Sequence, residues 1–275
     1  MPKFRCPHCG ESLDEHDREF FCSNGHHFDR AKDGYVNLLP SGRLKGRPSG
    51  DDEAMVRARR AVFDADLYRP VVDAVAAMLA TSRPTCVVDA GCGEGSYLAA
   101  TTRLSGASGW GIDVSKPAIR LAARRHRDHH YAIASSYAMP FADGSFDALI
   151  NVFSPRDFVE MERVLAVNGV AVVVTPGPRH LAQLKEIIYD DPRQHAQPST
   201  FGDSSDEPVA DDVQAVSFEL DLHDARLRLS LLEMTPFWWS TVPERREIIA
   251  STTITVEVDV RLSLYRRQQH QPQRQ

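Results

Sequence analysis

The sequence predicts an α/β domain built on a mostly parallel sheet, with a small metal-binding module ahead of it. Three observations carry this. Between residues 85 and 175, short apolar runs alternate with amphipathic stretches, the pattern of a parallel sheet covered on both faces. One run, Val87-Val88-Asp89-Ala90, enters a loop with glycine at every second position: Gly91, Gly93 and Gly95. Near the N-terminus, Cys6, Cys9 and Cys22 crowd together with His26.

A chain of 275 residues, 42% of them hydrophobic, can bury one full α/β core and carry a small appendage. No run of eighteen apolar residues occurs, and residues 1–6 lack the apolar core of a signal peptide. A cytoplasmic protein without a membrane partner is therefore expected. Five cysteines, an odd count, argue against a disulfide framework and for metal binding. The net charge of -6 weighs against nucleic-acid binding, but charge is local. Arg57, Arg59 and Arg60 form one basic group, and Lys116, Arg120, Arg124, Arg125 and Arg127 a second. The second group reads equally well as a phosphate-binding face or a solvated helix face.

The elements follow in order. Residues 1–40 form the metal module and 41–60 a linker, whose part 41–53 is rich in glycine, proline and charge. Helices are expected over 53–64 and 68–79, the latter with an apolar stripe of Val71, Val72, Val75, Met78 and Leu79. The catalytic domain is expected over 61–265. Strand 86–90 runs through the glycine loop into a helix at 95–103, and strand 109–113 leads to a helix opened by Ser115-Lys116-Pro117. Strands follow at 131–134, 147–153 and 170–175, with a helix at 156–165. Residues 190–213 read as a loop, 215–222 as a strand and 225–234 as a helix. The alternation over 252–265 is that of an edge or antiparallel strand, and 266–275 form a disordered tail.

The glycine loop carries the chemistry. Glycines without Cβ atoms let a ligand touch the backbone. Asp113 ends the next strand about twenty residues on, placed to accept hydrogen bonds from ribose hydroxyls. The spacing G-x-G-x-G differs from the G-x-G-x-x-G of pyrophosphate sites. Asp89 or Glu94 beside it would repel a pyrophosphate but suits an ammonium group. The cofactor indicated is S-adenosyl-L-methionine.

Cys6-x2-Cys9 and Cys22-x3-His26 give two close pairs that can converge on one tetrahedral zinc ion with no position open for water. Such a site is structural, and metal binding supplies folding free energy that a forty-residue core lacks. His8 and His27 are rival ligands that spacing does not exclude.

The loop Asp89-Ala90-Gly91-Cys92-Gly93-Glu94-Gly95 resembles the first motif of class I methyltransferases, and Asp113 their ribose-binding acid. The segment 135–141, Ser-Ser-Tyr-Ala-Met-Pro-Phe, resembles the one that passes the adenine, and 146–151 the fourth strand. The resemblance implies a Rossmann-like fold with a seven-stranded, mostly parallel sheet and an antiparallel last strand. Joined to the cysteine module and residues 27–40, these motifs resemble the bacterial 23S ribosomal RNA (guanine-N1-)-methyltransferases. Residues 55–60, 113–116, 176–181 and 234–237 add to this; 203–212 and the tail depart from it. That family implies methyl transfer to guanine N1 in an RNA hairpin loop, and cofactor contacts at Tyr68, Tyr97, Leu98 and His180. On their own residues, Tyr68 and His180 read as packing groups.

The resemblance leaves the catalytic group unassigned. Asn151, Asp157 and His180 are candidates, with Glu160 a neighbour; Asn151 and Phe153 read equally as contacts to the guanine or as loop packing. Phe237, Trp238 and Trp239 read as pocket lining or as core. The RNA hairpin is expected to meet Arg5, Arg30, Lys32, Arg43, Lys45 and Arg47 on a hinged module. A homodimer is compatible with the sequence. Two other functions share these residues: a small-molecule methyltransferase with a structural zinc module, and a non-enzymatic zinc-bearing RNA-binding protein.

Overall fold

The structure, a computed structural model, describes residues 1–40, 50–190 and 208–267. The N-terminal module contains a three-stranded antiparallel sheet, β1 (Asp14–His16), β2 (Glu19–Phe21) and β3 (His27–Asp29). The chain then extends as β4 (Tyr35–Asn37) and forms helices α1 (Glu53–Asp64) and α2 (Arg69–Ala80). Alternation follows: β5 (Cys86–Ala90), α3 (Ser96–Ser105), β6 (Ser108–Asp113), α4 (Lys116–Arg125), β7 (His130–Ile133), β8 (Phe146–Val152), α5 (Phe158–Val164), β9 (Leu165–Pro176) and α6 (Ala182–Ile188). The last elements are β10 (Asp212–Leu222), α7 (Ala225–Glu233), α8 (Phe237–Ser240), α9 (Pro243–Ser251) and β11 (Ile254–Arg266).

The main sheet has the order β10-β11-β9-β8-β5-β6-β7-β4. The expected seven strands are present, and β11 is antiparallel to both its neighbours. The eighth strand corrects the expectation. β4 belongs to the first forty residues, yet it pairs in parallel with β7, Tyr35 opposite Tyr131 and Asn37 opposite Ile133. Three residues are too few to show strand periodicity, and the pairing uses only backbone groups of an otherwise open edge.

The valine run of β9 is explained by burial on both faces. Val170, Val172 and Val174 belong to one core cluster, while Ala171 and Val173 belong to another. The first cluster gathers residues of α1, α2, α3, α4, α6 and α7. The second contains Met161 and Val164 of α5, but also Phe4, Leu13, Phe20, Val36 and Leu38. The N-terminal module thus helps to cover one face of the catalytic sheet. The expectation of a hinged module does not hold, because module and sheet share a core and a strand pair.

Residues 53–60, within the segment read as linker, are the first two turns of α1, capped by Asp52 accepting from the Ala54 and Met55 amides. Of the stretch read as a loop over 190–213, residues 191–207 lie outside the described residues, and Asp212 and Val213 already belong to β10. The tail from residue 268, and Arg43, Lys45 and Arg47, also lie outside them. No described helix is long and apolar enough to cross a membrane.

Candidate cofactor site and metal centre

The glycine loop leaves the carboxyl end of β5 between two neighbours that also end there, β6 and β8. Gly91, Gly93 and Gly95 all take positive φ, at 87°, 53° and 89°, which L side chains rarely adopt. A Cβ on Gly91 would lie 1.9 Å from Ser154 Oγ, so the loop after β8 is seated on this glycine. Asp113 ties the turn to β6. Its Oδ2 accepts from the Gly93 amide (3.0 Å) and its Oδ1 from the Ser115 amide (2.8 Å).

Asp89 is buried and its Oδ2 has no hydrogen-bond partner among the described residues. Burial pushes its pKa well above the ordinary value, the charges of Asp113 and Glu94 add to the rise, and the Leu98 amide opposes it. Asp113 is raised too, chiefly by burial. Glu94, the other acid expected to meet an ammonium, is already engaged: Arg60 Nη1 donates to it at 2.7 Å and also holds Asp64. That leaves Asp89 as the buried carboxylate with capacity to spare. Leu98 contributes its amide to Asp89, while its side chain is wholly in the core.

Tyr68, Tyr97 and His180 are brought together, Phe63 packing against both tyrosines and Tyr68 meeting His180. Tyr97 is buried, packs edge-on against Phe63 and has a hydroxyl without a partner among the described residues. His180 Nδ1 accepts from the Asp259 amide (3.3 Å), so the neutral ring carries its proton on Nε2, 3.5 Å from the Tyr68 hydroxyl. In that tautomer His180 donates to the Tyr68 oxygen, and the phenol hydrogen points elsewhere. Asn151 is buried, with Nδ2 donating to Ala90 O (2.8 Å) and Pro155 O (3.4 Å) while Oδ1 has no partner among the described residues. The two carbonyls set the orientation of the amide and leave Oδ1, itself buried, as its acceptor end.

Other candidates fall elsewhere. The Asp157 carboxylate caps α5, accepting from the Val159 and Glu160 amides. Glu160 accepts from the Met139 amide and from Arg163. Phe237 and Trp238 pack against the core, with the Arg246 guanidinium 3.8 Å over Trp238, whereas Trp239 is exposed. Sequence reasoning missed the backbone of Phe153 and Leu181, at φ 49° and 54°, strained positions flanking the crevice. The Phe153 ring lies 5.5 Å from that of His180. Arg59, read from the sequence only as part of a basic group, pairs with Asp51, donates to Met234 O and lies beside Gly93, contacts that the sequence did not show. Neither carries a residue signature; both follow from tertiary packing.

At the N-terminus, the ligand atoms of Cys6, Cys9, Cys22 and His26 all lie within 4.8 Å of one another. Sγ of Cys9 and Cys22 are 3.7 Å apart, and His26 Nδ1 is 3.5 Å from Cys6 Sγ and 3.4 Å from Cys22 Sγ. A tetrahedral zinc with bonds of about 2.3 Å to sulfur and about 2.05 Å to nitrogen requires edges of about 3.8 and 3.5 Å. The four residues fit that ion. The rival histidines lie outside this cluster of ligand atoms: His27 Nδ1 meets Glu19 at 2.8 Å, and the His8 ring stacks on Phe28. The Cys9 thiol is lowered to about 6, first by the Asn24 side chain and then by the Glu11 backbone, which suits a thiolate ligand.

Part of the expected phosphate-binding charge is spent on docking the module. Asp33 receives Arg124 at 2.8 Å and Arg120 at 3.9 Å. Arg125 pairs with Asp64, Arg30 with Glu15, and Arg5 Nε donates to Gly10 O.

Comparison with known proteins matches this division. Residues 4–45 match the family described as RlmA, N-terminal, a zinc ribbon, and residues 87–177 the family described as Methyltransferase domain. A Micromonospora griseorubida protein named "Putative 23S rRNA (guanine-N(1)-)-methyltransferase" is 35% identical over 97% of this chain and 98% of its own length. The 23S rRNA (guanine(748)-N(1))-methyltransferase of Streptomyces fradiae is 40% identical over 67% of each chain. Among solved structures, the Bacillus subtilis YcgJ protein aligns with a TM-score of 0.50 at 15% identity, covering 71% of this chain and 98% of its own, a likeness of fold.

Proposed function

This chain belongs to the 23S ribosomal RNA (guanine-N1-)-methyltransferase family, and from that premise we propose that it methylates N1 of a guanine in a hairpin loop of 23S ribosomal RNA. The observation that carries the reading is the pairing of two unpartnered acceptors at the carboxyl edge of the sheet. Among the described residues neither Asp89 Oδ2 on β5 nor Asn151 Oδ1 near the end of β8 has a partner, which suits the first to a cation and the second to a donor.

S-adenosylmethionine supplies a methyl group made electrophilic by its sulfonium. The chain's own task is positioning. The residues present fit this cofactor: Asp113 for the ribose, the backbone of Gly91, Gly93 and Gly95 for close approach, and Asp89 for the ammonium. Tyr68, whose hydrogen His180 leaves available, and Tyr97 suit its carboxylate.

Asn151 supports guanine as the acceptor. Guanine presents N1–H and the exocyclic amine as donors, whereas adenine N1 is an acceptor that would face Asn151 Oδ1 unpaired. An amide oxygen cannot keep the N1 proton, so Asn151 orients the base and the proton leaves to solvent. Watson–Crick pairing masks N1, so the target must be unpaired or flipped out. Arg5 and the half-exposed Tyr137 line a cleft of about 370 Å³ between module and catalytic domain, a surface suited to flanking RNA.

The test is primer extension on 23S ribosomal RNA treated with the protein and methyl-labelled cofactor. A new stop at a single guanine, carrying label and lost in Asp113→Ala, supports the proposal. Label only in small molecules sinks it in favour of a metabolite methyltransferase.

A further inference from the structure

We infer that the zinc knuckle is a strut of the cofactor site, with Phe4 as the positioning residue that couples metal occupancy to cofactor affinity. This rests on the cofactor reading above, in which the 135–141 segment passes the adenine.

The link is short. Phe4 forms an antiparallel bridge with Phe141, and the next amide, Arg5 N, donates to Pro140 O at 2.8 Å. The Phe4 ring is buried against Phe141 (5.4 Å between centroids), Trp110 of β6 (4.9 Å) and Phe20 of the module (5.9 Å). Phe4 is held from behind by the metal turn. Its carbonyl accepts from Leu13 N at 2.8 Å, and two residues on, Cys6 N donates to Glu11 O while Cys6 O accepts from Gly10 N.

The opposite side of the segment is clamped by α5. Glu160 takes the Met139 amide, and Arg163 donates to Met139 O (3.0 Å) and Phe141 O (2.7 Å). Residues 139–141 are therefore held in a vise, one jaw being a helix and the other the knuckle. The segment's far end is also tied. Ser136 Oγ donates to Pro155 O (2.9 Å), the carbonyl that Asn151 Nδ2 also reaches.

The knuckle jaw depends on metal. The strands β1, β2 and β3 have three residues each and cannot hold the turn alone; without zinc, three thiols and an imidazole at these separations have no common partner. Loss of the ion frees Phe4, and residues 139–141 lose one jaw of the vise while the α5 clamp and the Ser136 tie remain. Because coupling is reciprocal, a cofactor that orders residues 135–141 must also retain the zinc.

The experiment uses the full-length zinc protein without RNA. Calorimetric titration with S-adenosylhomocysteine compares wild type, Phe4→Ala and Phe4→Leu, each with its zinc content measured. Phe4→Ala should keep one zinc and bind about tenfold more weakly, within the usual range of coupling energies, with Phe4→Leu recovering part of the loss. In wild type, saturating S-adenosylhomocysteine should slow zinc loss to a chelator severalfold, a readout that needs no variant to fold. Equal affinities in wild type and Phe4→Ala, or zinc release indifferent to ligand, overturns the inference while leaving the cofactor reading intact. Wild type that takes up no ligand overturns both.

Discussion

Gly91→Ala isolates what the glycine loop contributes. Two costs add at this position. The first is conformational: an alanine at φ 87° sits in the left-handed region, at about 1–2 kcal/mol. The second is contact. The new Cβ would lie 1.9 Å from Ser154 Oγ and 2.5 Å from Ser154 Cβ. Rotating the hydroxyl relieves the first clash but not the second, so the backbone after β8 must move. Overpacking of this kind costs about 1–3 kcal/mol, giving a total of about 2–5 kcal/mol. Gly106→Ala is the internal control, since φ is 74° there and nothing lies within 4 Å of the added Cβ. It should cost only the conformational part, about 1–2 kcal/mol. Urea unfolding of both variants, and of Gly91→Ala combined with Ser154→Gly, measures the difference. The double variant should recover the contact part. Gly91→Ala no less stable than Gly106→Ala, or no recovery in the double variant, would refute the reasoning.

Further outcomes follow from the same geometry. Asp113→Ala should weaken S-adenosylhomocysteine binding by at least about tenfold, the worth of hydrogen bonds to a charged group, with zinc content unchanged; calorimetry giving a loss below twofold contradicts it. Burial raises the folded-state pKa of Asp89 above its unfolded value near 3.8, so its ionisation opposes folding. Its contribution to stability is fully present below the unfolded value and is lost as pH rises through the folded one. Asp89→Asn should therefore be more stable than wild type without cofactor at pH 7, by a margin smaller at pH 5, yet bind S-adenosylhomocysteine more weakly. Urea midpoints at the two pH values check the sign. Cys22→Ser should lose the zinc, read by elemental analysis as a fall from one per chain to none. Asn151→Ala should cut methylation far more than cofactor affinity; equal losses would place Asn151 in the cofactor site.

The glycine loop was legible because its requirements are local. A backbone turning at positive φ three times in five residues calls for Gly91, Gly93 and Gly95, and the next strand must end on Asp113 to tie them. The zinc ligands were legible for the same reason, since two close pairs constrain each other whatever lies between. Other assignments were not. Nothing in the spacing separates Asp157, a helix cap, from a catalytic acid, or shows that Glu94 is neutralised by an arginine on α1. The amide orientation of Asn151 depends on the carbonyl of Ala90, brought in by a neighbouring strand, together with that of Pro155.

The sequence by itself determined the alternation of strands and helices over residues 86–175, the glycine turn after β5 and the four clustered metal-ligand candidates, because each is written in periodicities and short spacings that a single element satisfies. The tertiary structure alone decided that β4 joins the catalytic sheet, that the N-terminal module covers one of its faces, and which carboxylate stays available in the crevice. Those outcomes rest on backbone pairing at an open edge, on apolar surface shared between segments far apart in the chain, and on which cation reaches which acid. Such terms exist only once the elements have met.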